Sequence, residues 1–409
     1  MARRLGNQLD QIKRVQAMTQ SLTSPIQGTC DSRFTAVRDA FAANFATGEE
    51  IGAAVAVTLN GRPVVDLWTG HADPARSRPW QQDTLVTVYS TTKGMTAICA
   101  HRLVDQGLLD LDAPVTRYWP EFAQAGKQDV PVHLLLSHRV GLPTVSNPLP
   151  PEAIYNWDAM TAALAAQAPL WQPGSRHGYH ALTYGWLVGE VVRRVSGKRI
   201  GAFFRDEVAQ PLGLDFHIGL APGHDDRIAE MVAVDPSSAG AQEQEKLRQA
   251  KIESMEQTLR QAQGTIQIAP GDHNTEAWRR AEIPAANGHS DAQSLARVYG
   301  ALACGGSVDG VHVLSPEAIA RATVEQASGP DAQLPISTRY ALGFWLSQPA
   351  APLGPNPNAF GHPGAGGSVG FADLDAGLGF GYVMNQMKVG LLVEGTGRRL
   401  IDAVYACLS

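Results

Sequence analysis

The sequence predicts an α+β fold: a mainly antiparallel sheet flanked by helices and built from both ends of the chain, with an inserted all-helical domain between them. Three observations carry this. Two strand patterns near the N-terminus meet at a tight-turn dipeptide, nearly every periodic segment between about residues 100 and 300 is helical, and strand patterns return after about residue 338. The expected organisation is an N-terminal extension over 1–30, a discontinuous sheet domain over 31–90 and 305–409, and a helical domain over 91–304.

The lead-in is polar and partly helical, and Ser24-Pro25 with Gly28 punctuate its end. Phe34, Val37, Phe41 and Phe45 recur at spacings of three and four, which predicts an amphipathic helix closed by Gly48. Residues 53–59 and 64–68 then read as two antiparallel strands joined through Asn60-Gly61, a dipeptide that accepts the positive φ angles of a two-residue turn. A helix follows from about Thr92 to Leu108, with Gly107 placed to end it. Further helices are expected over 157–168, 182–195 and 291–302, strands over 341–346, 368–374 and 378–384, and a last helix over 394–407. Gln242 to Gln263, rich in Gln, Glu, Lys and Arg, has the profile of an exposed helix or loop.

At 409 residues, and roughly 150 per domain, the chain is long enough for two or three lobes around a large core. Its 44% hydrophobic and 18% charged residues are the balance of a folded globular protein. With 33 basic and 39 acidic residues, the net charge of −6 offers no field to gather a phosphate backbone, so nucleic acid is not an expected partner. Cys30, Cys99, Cys304 and Cys407 lie far apart without a C-x-x-C pair, and reduced, mostly buried thiols are expected. Polar residues interrupt the first 15 positions before a secretion signal can form, and no apolar stretch approaches ~20 residues, so a soluble cytoplasmic protein without a membrane span is expected.

Of seven lysines, only Lys93 has a serine three positions before it, in Ser90-Thr91-Thr92-Lys93. If Ser90 opens the following helix, hydroxyl and amine share one face, and the helix start adds N–H donors suited to an oxyanion. A lysine can act as base only when burial or a positive neighbour lowers its pKa, at a cost of ~4 kcal/mol for reaching neutrality. The bland alternative is a capping serine beside a surface lysine. Pro173 to Ala181 is a Pro/Gly-rich loop that delivers Tyr179 just before a helix, where a phenol could shuttle a proton if a cation stabilised its phenolate. Phe360 to Ser368 is glycine-rich and precedes a strand.

This order of Ser-x-x-Lys, a Pro-Gly loop ending in Tyr, and His362-x-Gly364 before a C-terminal strand resembles class C serine β-lactamases, D,D-peptidases and, most closely, family VIII carboxylesterases. Leu134 to Pro143 is similar to another segment of that superfamily, and the resemblance spans about Phe34 to Cys407. It implies a β-lactamase/transpeptidase-like fold with the site between sheet and helical domain. By the same resemblance Ser90 is the nucleophile, Lys93 the general base and Tyr179 the proton shuttle, while the backbone N–H groups of Ser90 and Ala365 form the oxyanion hole. His362 stands where the β-lactamases carry a lysine, with Gly364 beside it at the sheet edge. Trp345 would wall the acyl pocket, with a core role as the alternative.

Two departures choose within the superfamily. Ala181 replaces the asparagine that grips an amide, and His362, largely neutral at an ordinary pKa of ~6.5, replaces the lysine that attracts a carboxylate. Both losses favour a small-molecule carboxylic ester with a short to medium acyl group, hydrolysed through an acyl-enzyme, with weak β-lactamase activity possible on the same site. A β-lactamase, a D-amino-acid peptidase and an acyltransferase are alternatives, as is a non-catalytic scaffold of the same fold.

Gly366-Gly367-Ser368-Val369-Gly370 also satisfies G-x-S-x-G, but that elbow needs a helix after the serine and a later histidine, whereas here a strand follows and His362 is the last histidine. The histidines at 224, 273, 289 and 312 are scattered without a metal-binding pattern, and neither metal nor cofactor is implied.

Overall fold

Asn60 and Gly61 both hold positive φ, 49° and 77°, the geometry of a two-residue hairpin turn, and fold β2 (Gly52–Leu59) back onto β3 (Arg62–Gly70), with β1 (Gln27–Cys30) paired outside them. The computed structural model describes residues 24–233, 268–269, 271–388 and 393–408. Most of the lead-in and the polar segment 242–263 lie outside the described residues.

The remaining strands are β4 (Val86–Thr87), β5 (Phe216–Ile218), β6 (Gly288–Ser290), β7 (Ser307–Val308), β8 (Val311–His312), β9 (Ala327–Pro330), β10 (Ser337–Tyr340), β11 (Trp345–Leu346), β12 (Phe360–Pro363), β13 (Val369–Asp373) and β14 (Leu378–Met384). The longer helices are α1 (Thr35–Ala46), α2 (Thr92–Asp105), α3 (Trp157–Ala166), α4 (Thr183–Ser196), α5 (Ala292–Ala303) and α6 (Gly395–Ala406). Nine strands form one antiparallel sheet in the order β1-β3-β2-β14-β13-β12-β11-β10-β9. The two ends of the chain meet where β2 pairs with β14, from Ala53 opposite Met384 to Leu59 opposite Leu378.

Alternation along β14 assigns the faces of the sheet. Gly379 and Gly381 point at α5, close enough that an added Cβ would come within 2.3 Å of Gly300 N and Ala292 O respectively. Tyr382, one step on, points the other way and reaches Thr396 of α6 with its hydroxyl, at 3.2 Å. The absence of side chains at 379 and 381 therefore lets α5 sit at backbone distance on one face, while α6 and α1 cover the other.

One addition to the expected elements joins the stretch before α2 to the inserted region. Strands β4, β6 and β5 form a small sheet of their own, and two or three residues per strand are too few to show a period of two. Of the expected strand over 341–346 only Trp345–Leu346 is strand, as β11; residues 341–344 are a turn between β10 and β11. Gly343 sits at φ +88°, with Ala97 and Tyr184 so close that a side chain has no room, and Ala341 N–H donates to Phe344 O at 2.9 Å. The unbroken apolar run hid this reversal. The cysteines are free thiols, but only Cys99 is buried, and Cys304 is exposed. No helix of the described residues is long and apolar enough to cross a membrane.

Gly381→Ala should lower stability by about 1–3 kcal/mol, because the new methyl overpacks the α5 backbone. Urea unfolding measures this. A stability gain, the usual result of Gly→Ala where space exists, would contradict the close approach.

Candidate active site

The chain leaves β4, turns through residues 88–91 and enters α2. Tyr89 makes the turn with φ at 45°, a region that bulky residues rarely occupy and that costs roughly 1–3 kcal/mol. Ser90 follows immediately, and its carbonyl accepts the Lys93 N–H at 2.9 Å. No side chain caps the start of α2, so Ser90 is not the capping serine of the bland reading. Its Oγ instead meets Lys93 Nζ at 3.1 Å and the Tyr179 hydroxyl at 2.7 Å.

Lys93 is fully buried, which disposes of a surface lysine. Its amine donates to Ala181 O at 2.7 Å and to Ala285 O at 2.9 Å, and no carboxylate pairs with it among the described residues. Burial without a counter-ion holds its pKa well below the ordinary 10.5. A neutral amine has two hydrogens and one lone pair. The two carbonyls take the hydrogens, so the lone pair is left for Ser90 Oγ.

Tyr179 comes from the loop before α4, and burial pushes its phenol well above its ordinary value. The resting group is therefore the phenol. The phenol is a donor to Ser90 Oγ, although Lys93 Nζ does lie 4.8 Å from its ring centroid. Around it stand His138, His362, Tyr340 and Trp345, with ring centroids 5.2, 6.0, 6.3 and 6.4 Å away. His138 belongs to the Leu134–Pro143 segment and holds a left-handed φ of 58°, with its Nδ1 accepting the His180 N–H at 3.1 Å. Burial keeps His138 neutral, far below its ordinary pKa.

His362 and Pro363 pair with β13 but extend past Trp345, where β11 begins, so this stretch lies inside the sheet order yet is open on one side. His362 Nδ1 donates to Pro363 O at 2.7 Å, and burial lowers its pKa to about 3, so the ring is neutral. Gly364 presses on the Ser90 turn, since a Cβ there would lie 2.3 Å from Val88 O. That contact sets Gly364 against the turn that carries Ser90, with Val88 O and Thr91 Oγ1 as its neighbours. Trp345 is buried, edge-on to Tyr179 and 5.9 Å from His362, so it backs both rings.

Ser368, the serine of the G-x-S-x-G match, is followed by strand β13 and not by a helix. Its hydroxyl donates to Val88 O at 2.8 Å and lies 3.3 Å from Thr91 Oγ1, clamping the Ser90 turn to the loop that carries Ala365. Sequence reasoning found this residue only as a decoy. It missed Tyr89 and the carbonyls of Ala181 and Ala285, because backbone acceptors and a strained φ leave no residue-type signal.

The histidines are less scattered than expected, since Asp215, His217 and His224 have ligand atoms within 4.8 Å of one another. Arg227 already occupies this group, donating to Asp215 Oδ2 at 2.5 Å and to His224 Nδ1 at 2.7 Å.

Residues 37–403 match the family described as Beta-lactamase. An esterase/beta-lactamase of Mycobacterium tuberculosis, LipL, is 38% identical over 364 residues, covering 88% of this chain and 83% of the relative. Among solved structures, a family VIII carboxylesterase is 45% identical with a TM-score of 0.85, covering 93% of this chain and 99% of that one. A penicillin-binding protein homolog from Caulobacter crescentus is 41% identical with a TM-score of 0.84 and the same coverages. With the fold, the family match and these relatives in agreement, the chain belongs to the β-lactamase family, as a hydrolase of its β-lactamase/esterase branch.

Proposed function

We propose that this hydrolase is a carboxylesterase that cleaves short to medium acyl esters through an acyl-enzyme on Ser90. The observation that carries the reading is the buried Lys93 amine, saturated by two carbonyls and left with one lone pair toward Ser90 Oγ. In acylation Lys93 takes the Ser90 proton as Oγ bonds to the ester carbonyl carbon. The oxyanion is held by the backbone N–H groups of Ser90 and Ala365, each donor worth ~2.7–4 kcal/mol. As the tetrahedral intermediate collapses, Tyr179 gives its proton to the departing alcohol and regains one from Lys93. Water then repeats the sequence in reverse, releasing the acid and restoring Ser90.

Two features favour a neutral ester. At position 181 a methyl replaces an amide-gripping side chain, and the Ala181 carbonyl serves Lys93 instead. His362 is uncharged and so gives no attraction to a substrate carboxylate. β-Lactam hydrolysis is the second reading, favoured by the relative whose name joins both activities. Ranking kcat/KM on p-nitrophenyl butyrate, nitrocefin and a D-Ala-D-Ala peptide tests the choice: the ester should lead, and a lead for the peptide or the lactam would overturn it.

Ser90→Ala should abolish labelling by a fluorophosphonate and lower esterase kcat/KM by at least ~10⁴-fold. Ser368→Ala should slow the reaction while mass spectrometry still finds the label on Ser90; a label on Ser368 in the parent protein would reverse the assignment.

Both titrating groups widen the working pH range. Activity needs Lys93 neutral and Tyr179 protonated, and the first pKa is lowered while the second is raised. The kcat/KM profile for a neutral ester should therefore reach its plateau well below the ordinary lysine value of 10.5 and fall only on the acid side. A rise continuing to the ordinary lysine value of 10.5 would show an unperturbed amine.

Burying Lys93 uncharged also costs stability wherever the unfolded chain would keep the proton. The penalty is absent above the unfolded value of 10.5 and grows by about 1.4 kcal/mol per pH unit as pH falls, levelling off beneath the folded value. Lys93→Met should accordingly gain stability relative to the parent between about pH 10 and about pH 7, read from urea midpoints. A pH-independent difference would contradict a neutral Lys93.

A further inference from the structure

Tyr179 lies in a loop, and its own helix does not begin until Thr183, so the aim of its phenol has to be set from elsewhere. The residue that meets it is Asp331, just past β9 on the far end of the sheet. Oδ1 of Asp331 accepts the N–H groups of Tyr179 at 3.0 Å, Gln333 at 2.8 Å and Leu334 at 3.0 Å. Oδ2 accepts the hydroxyls of Thr338 at 2.9 Å and Tyr340 at 3.2 Å.

Five donors thus converge on one carboxylate, and among the described residues no cation pairs with it. Two of the five bear directly on Tyr179: its own main chain, and the ring of Tyr340, which lies parallel to it within 6°. The network has one direction. Thr338 gives its hydrogen to Asp331, so its oxygen is free to accept from His177 Nε2 at 3.0 Å, and Ala332 N–H returns to His177 O at 3.1 Å. The Tyr179 loop is therefore stitched to the β9–β10 connection at both His177 and Tyr179.

We propose that Asp331 is a positioning residue for acyl transfer, holding the Tyr179 main chain and the Tyr340 ring so that the Tyr179 hydroxyl stays at 2.7 Å from Ser90 Oγ. The assignment rests on the reading of Ser90 as nucleophile. Its logic is geometric, because a displacement of about 1 Å at a reacting group costs about 10²-fold in rate. Asp331 is only partly buried, so its replacement should leave the chain folded.

The test compares Asp331→Ala and Asp331→Asn in the parent and in a Tyr179→Phe background, using kcat and KM on p-nitrophenyl butyrate and the rate of fluorophosphonate labelling. Asp331→Ala should lower kcat and the labelling rate about 10²-fold with KM within about threefold. Asp331→Asn, whose amide oxygen keeps the three N–H donors but whose NH2 cannot accept from Thr338 and Tyr340, should recover kcat part-way, to a value between the alanine variant and the parent. In the Tyr179→Phe background the Asp331→Ala cost should largely vanish. The same fold-loss in both backgrounds, a loss of less than threefold in the parent, or no rescue by asparagine would overturn the assignment while leaving Ser90 in place. A label found away from Ser90 in the parent would overturn both.

Discussion

One interaction organises this site: an amine taken out of water with no counter-charge, held by two backbone carbonyls and turned toward a hydroxyl. Those carbonyls come from distant parts of the chain, Ala181 before α4 and Ala285 before β6, and both must arrive within 3 Å of Lys93 Nζ. Opening that enclosure would let water or a carboxylate reach the amine, and Lys93 would regain its proton. The packing around α2 is therefore a chemical requirement as much as a structural one.

The rest of the architecture serves to close this enclosure. Small residues let neighbouring elements approach to backbone distance, as where α5 lies on β14 and where Gly364 meets the Ser90 turn. Ser368 and Thr92 then fix the turn from two sides, the first through Val88 O and the second through Gly288 N–H at 2.9 Å. The surrounding rings are neutral: burial holds His138, His180 and His362 far below their ordinary pKa. A charged imidazole beside Lys93 would lower its pKa further but would also stabilise an unwanted Tyr179 phenolate, and the buried cluster avoids both.

Much of this was legible from the residues alone. Asn60-Gly61, the spacing of Phe34 to Phe45 and the strand at 378–384 name their structures because each carries a local signal, a turn dipeptide or a period. The triad positions Ser90, Lys93 and Tyr179 could be picked from motif order, and the structure gathers them within hydrogen-bond reach. The rest was hidden for physical reasons. A carbonyl acceptor such as Ala285 O is common to every residue type, a left-handed Tyr89 looks like any tyrosine, and Gly343 turns the chain inside a run that reads as one strand. Ser368 was visible, but its motif pointed to the wrong role, because the helix that gives that motif its meaning is a strand here.

The central claim concerns the charge on one nitrogen, and it can be measured without turnover. With seven lysines in the chain, NMR of protein labelled at lysine Cε and Nζ gives a small set of signals, and loss of one peak in Lys93→Met assigns it. The account predicts that at pH 7.5 the Lys93 signals report a neutral amine. An ammonium signature at Lys93 at that pH, in the folded and active protein, would contradict it.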